Sequence, residues 1–415
     1  MKSFVRSVRV VLFLSVASLS LIALAGCGSS SSGSSGSGSM SVSAPMAAKN
    51  IYVIRFSSTD DVEQDSVAVF PASASGSTTP TSTLMLPSGF VDLALAVGPT
   101  GVIYVGGQQQ GSEQGFGQIL EYAAGSSGSA TPSVTLNGSA ASTATFTYPS
   151  SLAVNSAGML FIASADRTLE AFASGFTASS APTQYLTWGQ VENNNGDPNF
   201  GDPSGSIGAD TAGNLFYLDE GNGQIDVFAA GATGATAPVR TISGTDTTYF
   251  TELEYLAVDG AGDVYVTNYN QANDPNANAR TNPVANAANR RVQAMVPGRA
   301  RPSIAYPHIT ALPPEPTGII EFAALATGAA TPVKRIGGAG GVTPNNTGIV
   351  EPANLVLDAA SNLYYQDANG GVFGSGNTMV LLEVFPPSAT GNATPAASFT
   401  STNFLFDNSG PVAVF

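Results

Sequence analysis

One unit is written six times along the chain, and a long repeated unit constrains the fold more than any other feature of a sequence. Five copies open on an apolar segment, a turn and a second apolar segment. These are DLALAVGPTGVIYVGG from Asp92, SLAVNSAGMLFIAS from Ser151, SIGADTAGNLFYLDE from Ser206, YLAVDGAGDVYVTN from Tyr255 and NLVLDAASNLYYQD from Asn354. Each reads as two short strands alternating with period two, joined by a turn of Asn, Asp, Gly, Ala and Ser. A second segment follows each, as in GQIDVFAAGATGATAPVRTISG: a third strand, a glycine-rich loop and a fourth strand led by proline. Proline suits an edge position, where a missing N–H breaks no ladder bond.

The sixth copy is split. Asn50–Phe56 and Asp65–Leu84 supply strands two to four with no first strand before them, and SGPVAVF, Ser409–Phe415, supplies that strand from the other end of the chain. The expectation is an all-β chain. It forms a single six-bladed β-propeller with four-stranded blades, closed where the C-terminal strand joins the N-terminal blade, so that only short edges remain. The innermost strands carry Ala96, Ala153, Gly208, Ala257 and Ala413 between larger apolar residues, with Val356 as the exception. Sheets converging on an axis need small side chains there. Asn155, Asp210, Asp259 and Asp358, just past these strands, read as turn formers rather than ligands.

Composition agrees. Forty-six glycines and 26 prolines argue for turns over long helices. Charged residues are 10% of the chain, so Ser, Thr, Asn, Gln and Gly must make its surface polar. The net charge of −15 excludes the broad positive face that nucleic acid requires, and no nucleic-acid partner is expected.

The unit P-x-x-LAVD-x-x-G-x-LYV-x-N … I-x-VF resembles the NHL-repeat propellers and, more loosely, the gluconolactonase and senescence-marker group. The resemblance covers residues 50–415 and implies the fold; NHL-type propellers include both binding scaffolds and enzymes.

The N-terminus carries a different signal. Lys2, Arg6 and Arg9 precede the apolar run VVLFLSVASLSLIALA, and LAGC follows at Leu24–Cys27. This resembles a bacterial lipoprotein signal, in which a peptidase cuts before the Cys and the thiol carries a lipid, palmitate among its acyl chains. Cys27 is the only cysteine and stands where that motif requires it. The division is then 1–26 signal peptide, 27–48 lipidated Cys27 and Ser/Gly-rich tether, and 49–415 propeller, with an insertion at 269–316 in the fifth blade. Cleavage leaves 11 basic residues against 29 acidic ones, a charge of −18. Gly28, in place of the Asp that retains such proteins in the inner membrane, points to the outer membrane of the cell envelope.

With the first strand innermost, as in NHL relatives, loops between strands two and three and between blades emerge on one side, the top. The tight first-to-second turns, the GATGATAP-type loops and both ends of the propeller lie on the other. The top then holds long polar loops at 57–65, 107–117, 189–203, 219–223 and 366–377, besides the insertion. Long, varied loops on one side of a rigid scaffold are a usual place for binding. The insertion contains Arg280, Arg290, Arg291, Arg299, Arg301 and the only histidine, His308. It reads equally as a basic lid or as a disordered loop. Asp274, Asn276 and Asn278 imitate the start of a calcium loop, but Ala279 and Ala285 replace its glycine and its bidentate Glu.

Where the innermost strands begin, Asp92, Asp202, Glu252, Glu254, Glu351, Asn354 and Asp407 are expected to ring the channel mouth as candidate binding residues. Calcium or another divalent cation would relieve their mutual repulsion. The gluconolactonase resemblance implies such a metal, though its motif is not matched residue by residue. A lone histidine argues against a His-dyad or two-His zinc enzyme, and no Gly-x-Ser-x-Gly elbow has a histidine partner. The expected function is a membrane-anchored, monomeric, extracytoplasmic binding scaffold whose partner is an envelope protein or a glycan. A metal-dependent lactonase-like hydrolase is the alternative.

Overall fold

The computed structural model describes residues 49–55, 64–76, 78–109, 117–138, 146, 149–164, 168–187, 206–219, 223–243, 253–268, 317–337, 349, 352–367, 381–400 and 409–415. They form strands and turns and contain no helix. The first blade has β1 (Asn50–Arg55), β2 (Ser66–Pro71) and β3 (Ser82–Met85). The second has β4 (Phe90–Val97), β5 (Ile103–Gln109), β6 (Gly117–Tyr122) and β7 (Val134–Asn137), and the third β8 (Pro149–Val154), β9 (Leu160–Ser164), β10 (Thr168–Phe172) and β11 (Gln184–Thr187). Blade four has β12 (Ile207–Ala209), β13 (Leu215–Asp219), β14 (Gln224–Phe228), the two-residue β15 (Thr233–Gly234) and β16 (Arg240–Ile242). Blade five has β17 (Leu253–Val258), β18 (Val264–Asn268), β19 (Gly318–Phe322) and β20 (Lys334–Ile336). Blade six has β21 (Pro352–Leu357), β22 (Leu363–Asp367), β23 (Leu381–Phe385) and β24 (Ala397–Thr400). The last strand, β25 (Ser409–Val414), returns to the first blade.

Six sheets result, one per blade, each with its four blade strands antiparallel and ordered from first to fourth, and that of blade three gains β15 in parallel on its outer edge. The first sheet runs β25-β1-β2-β3, with Val53 opposite Val412 and Ile51 opposite Val414. The split blade is thus completed by the C-terminus, as the repeats predict. First strands touch in a closed cycle, β25 to β4, β8, β12, β17, β21 and back to β25. The protein is a six-bladed β-propeller.

Its core is six cores. The buried apolar residues divide into six clusters, each filling the seam between two neighbouring blades, including the seam between blades six and one that holds Ile51, Phe70, Tyr364, Leu382 and Val412. Period-two alternation is the cause, because each strand sends successive side chains to opposite seams. Each large side chain buried this way contributes about 1.5–3 kcal/mol. Near the axis Ala96, Ala257 and Ala413 are buried as expected, and a Cβ on Gly208 would stand 2.5 Å from Val258 Cγ2 of the next blade.

The first-to-second turns of blades three to six follow one chemistry, while blade two has Gly98 at the same place. Asn155 Oδ1 accepts from the Ala157 and Met159 N–H groups at 3.1 and 3.0 Å. Asp259 accepts in the same way from Ala261 and Asp263, and Asp358 from Ala360 and Asn362, all at 2.9 Å. Asp210 accepts from Asn214 at 2.9 Å. A short acceptor side chain closes the turn on its own backbone.

The third-to-fourth loops do more than connect strands. Gly128 donates to the Thr83 carbonyl at 2.7 Å and accepts from the Met85 N–H at 2.8 Å, pairing its loop in parallel with the outer strand of the preceding blade. Gly328 does so across Thr241 and Ser243, and Gly391 across Arg335 and Gly337. β15 pairs in the same sense with β11, and Gly76 donates to Ser398 at 3.3 Å. All five glycines have φ between 54° and 64°, a conformation that strains any residue with a Cβ. In the third blade Ala178 occupies this place, and among the described residues no such bridge joins its loop to β7. That loop closes on itself, through the Thr177 N–H to Ser180 Oγ at 2.9 Å. The uncharged glycine loop is a latch between neighbouring blades.

Two glycine substitutions separate latch from seam. Gly328→Ala meets nothing within 4 Å but keeps a positive φ, and should cost about 1 kcal/mol. Gly208→Ala must displace Val258, and should cost more, about 1–3 kcal/mol. Denaturant unfolding measures both, and equal costs would contradict the assignment.

Candidate functional site

Around the axis, five of the six first strands carry one irregularity, and β12 is the exception. Register shifts lie between Val91 and Ala94 in β4, Pro149 and Ser151 in β8, Leu253 and Leu256 in β17, and Pro352 and Asn354 in β21. β25 shifts against β1 between Val53 and Arg55. Each lies near the start of its first strand, at the end away from the first-to-second turns. A bulge frees a residue from the ladder and re-aims its side chain, which is why bulges gather at barrel rims and sites. Side chains replace the interrupted bonds: Ser150 Oγ donates to the Ala163 carbonyl at 3.1 Å, and the Tyr255 N–H donates to Thr267 Oγ1 at 2.9 Å. A rim of re-aimed residues therefore surrounds one end of the axis.

The candidate residues read from the sequence fall on this rim only in part. Asp92 lies in the bulge of β4, Glu254 in that of β17, and Asn354 at that of β21 on the adjacent blade. Asn354 Oδ1 accepts from the Leu355 N–H at 2.8 Å. Asp202, Glu252, Glu351 and Asp407 lie outside the described residues, as do Cys27, His308, the 269–316 insertion and most of the long loops.

Glu254 belongs to a group that sequence reading missed. Its Oε2 is buried, and its charge bears on Tyr365 across the seam between blades five and six, together with Asp367 and Glu383. Tyr365, Asp367 and Glu383 are 0%, 1% and 3% exposed. Tyr365 lies opposite Glu383 in the register of β22 and β23, and its hydroxyl donates to Asp367 Oδ2 at 3.0 Å. Glu383 Oε2 is buried with no hydrogen-bond partner among the described residues. Desolvation first, and the Asp367 charge second, push the Glu383 carboxyl up to about 8. Carboxyls this close and this dry cannot all ionise, so Glu383 keeps its proton near neutrality. Burial and its acidic neighbours also raise the Tyr365 hydroxyl.

Blade four repeats the motif in a better satisfied form. Asp226, at the place of Glu383 in the blade, accepts from Thr241 Oγ1 at 2.7 Å and from Gln224 Nε2 at 3.2 Å, with its carboxyl still raised by desolvation. Glu170 holds the same place in blade three and is fully buried. The signal was present in TLEAF, QIDVF and LLEVF, where an acid stands in the phase of the buried residues. Among the described residues, no three His, Cys, Asp or Glu side chains are placed to hold a metal ion. What the blade-five/six group can do chemically is hold a proton.

No family model matches the sequence, and none of the curated proteins does. Among solved structures the chain is similar to the WD40 domain of coronin from Toxoplasma gondii, with a TM-score of 0.43 and 10% identity over 86% of this chain and 78% of that one.

The buried acid makes stability depend on pH. A carboxyl raised from 4.5 to about 8 on folding contributes stability that is whole below the lower value and lost as pH rises through the upper one. The melting temperature should fall across that window. Glu383→Gln, neutral at every pH, should flatten the fall; equal slopes in both proteins would remove Glu383 as its cause.

Proposed function

We propose that this protein is a lipid-anchored binding module of the bacterial envelope, an NHL-like propeller held by acylated Cys27 and offering the bulged, loop-bearing side of its ring to an envelope protein or a glycan. The observation that carries the reading is where the chain enters and leaves the ring. The Asn50 N–H donates to the Phe415 carbonyl at 2.7 Å, and the Phe415 N–H donates to Asn50 at 3.0 Å. The two ends of the ring thus occupy the place that an Asx turn holds in blades three to six. A tether reaching Lys49 arrives on the turn side, and the strand ends that the long polar loops join lie on the opposite side.

Division of labour supports the same reading. Six third-to-fourth loops without one charged residue face the tether side. The acidic, Asn- and Gln-rich segments fall between strand ends on the other. Such polar side chains suit the hydroxyls of a glycan or the rim of a protein interface. The outer membrane, indicated by Gly28, is the proposed address.

Two measurements test the halves of this reading. Wild-type protein should take up labelled palmitate and sediment with membranes, while Cys27→Ser should do neither; a Cys27→Ser protein that sediments like the wild type ends the anchoring reading. Photo-crosslinkers at Gln109 and Gln118, beside the loops, should capture an envelope component that crosslinkers at Ser127 and Thr236, on the turn side, do not. Capture from the turn side alone would reverse the assignment of faces.

A further inference from the structure

Blades four and five depart from the repeat at their turn-side outer rim. At the residue after the loop proline, blades one to three carry hydroxyls: Thr81, Ser133 and Thr183 donate to the carbonyls of Val69, Glu121 and Ala171 at 3.0, 3.0 and 3.1 Å. In blades four and five that residue is Val239 and Val333. Their backbone N–H groups keep the matching bonds, to Val227 at 2.8 Å and Glu321 at 2.9 Å, so the turn itself has no need of an apolar side chain. Both are exposed, at 62% and 60%. Leu325, 86% exposed, stands where three other blades place Gly125, Gly175 and Gly231. These three are the exposed large hydrophobic residues among the described ones.

They share one stretch of rim. Arg240 Nη1 donates to the Ala326 carbonyl at 2.9 Å, tying the neighbour of Val239 to the neighbour of Leu325, and Val333 ends the loop that Leu325 begins. Blades one to three show that a hydroxyl or a glycine serves the fold here. An exposed valine here forfeits the hydroxyl's hydrogen bond, and the side chain of Leu325, 86% exposed, packs little inside the ring.

We propose that this rim seats in the headgroup region of the bilayer to which the protein is tethered, so that the ring rests on blades four and five. The inference depends on the anchoring at Cys27 proposed above. The chain enters the ring at Lys49 on the turn side, so a lipid on Cys27 would raise the effective concentration of that side at the bilayer, and a weak contact is then enough. The six loops on this side carry no Asp or Glu, although the processed chain carries −18; the carboxylates of this side are in the first-to-second turns, where Asp210, Asp259 and Asp358 accept from their own turn backbone and Asp263 accepts from the Ala324 N–H. Lys334 pairs with Glu321 and Arg240 lies over the Phe216 ring. The apolar side chains, rather than free cations, therefore make the contact.

Depth-dependent quenching tests it in the full-length lipidated protein. Single cysteines at Val239, Leu325 or Val333, and at the matching Thr81, Ser133 or Thr183, take a fluorescent label, since acylated Cys27 cannot. The protein is reconstituted in phosphatidylethanolamine–phosphatidylglycerol vesicles containing doxyl-labelled lipid. Labels on blades four and five should be quenched about twofold or more beyond those on blades one to three, as insertion into the headgroup layer requires. In Val239→Thr/Leu325→Gly/Val333→Thr, which carries the residues of other blades, a label at Ala330 should lose the quenching it shows in the wild type. Equal quenching at both sets, in protein that sediments through Cys27, overturns the seating and leaves the anchor standing. Protein that fails to sediment overturns both. Shielding of the labels that follows protein concentration, in vesicles and detergent alike, assigns the rim to a second copy and overturns the lipid.

Discussion

The ring depends on one pair of strands, β25 against β1. Its residues serve two seams at once: Val412 packs into the cluster between blades six and one, and Ala413 into the cluster between blades one and two. Without β25 the first blade has no inner strand, the cycle of first strands is open, and two of six cores lose a wall. A slip of one residue in this pairing would exchange the two side chains between seams, so burial on both faces defines the register. A propeller so closed has no long free edge to manage, and its stability is distributed around the circumference.

The latches extend the same logic outward. A blade's fourth strand has a neighbour on one side only; the glycine loop of the following blade supplies a short parallel bridge on the other for blades one, three, four and five, and a single hydrogen bond from Gly76 for blade six. Positive φ at five equivalent glycines is the local strain-free solution to that geometry. The seams meanwhile bury acids in blades three, four and six at the place where blades two and five bury Leu120 and Ile320. Asp226 is accommodated by Thr241 and Gln224, whereas Glu383 faces Asp367 and keeps its proton. Burial raises both carboxyls, and the charge of Asp367 adds to it at Glu383, so the stability of that seam depends on pH.

Much of the architecture was legible in the sequence because its determinants are local. Alternation sets which side chains leave a strand on which face, Asn155 and Asp259 close their own turns, and a missing first strand at one end with a spare strand at the other identifies the closure. The site was less legible. Glu254 was singled out as a channel-mouth carboxylate, yet the residue on which its charge bears, Tyr365, comes from another blade, together with Asp367 and Glu383. The glycine loops read as connectors, and their bridging partners belong to the preceding copy of the repeat. In both cases the partner lies in the adjacent unit, at a separation that periodicity within one unit does not encode.

By itself, the sequence determined the number of blades, the strand order within each, the turn chemistry and the completion of the first blade by the last strand. These follow from backbone preferences and from a period of two that every copy repeats. Tertiary structure alone decided which side chains meet across a seam, which strand ends bulge around the axis, and that valine and leucine on blades four and five stand exposed where other blades carry hydroxyls or glycine. The physical reason is desolvation: whether a carboxyl keeps its proton, or an apolar side chain stays in water, is set by what the neighbouring blade places against it.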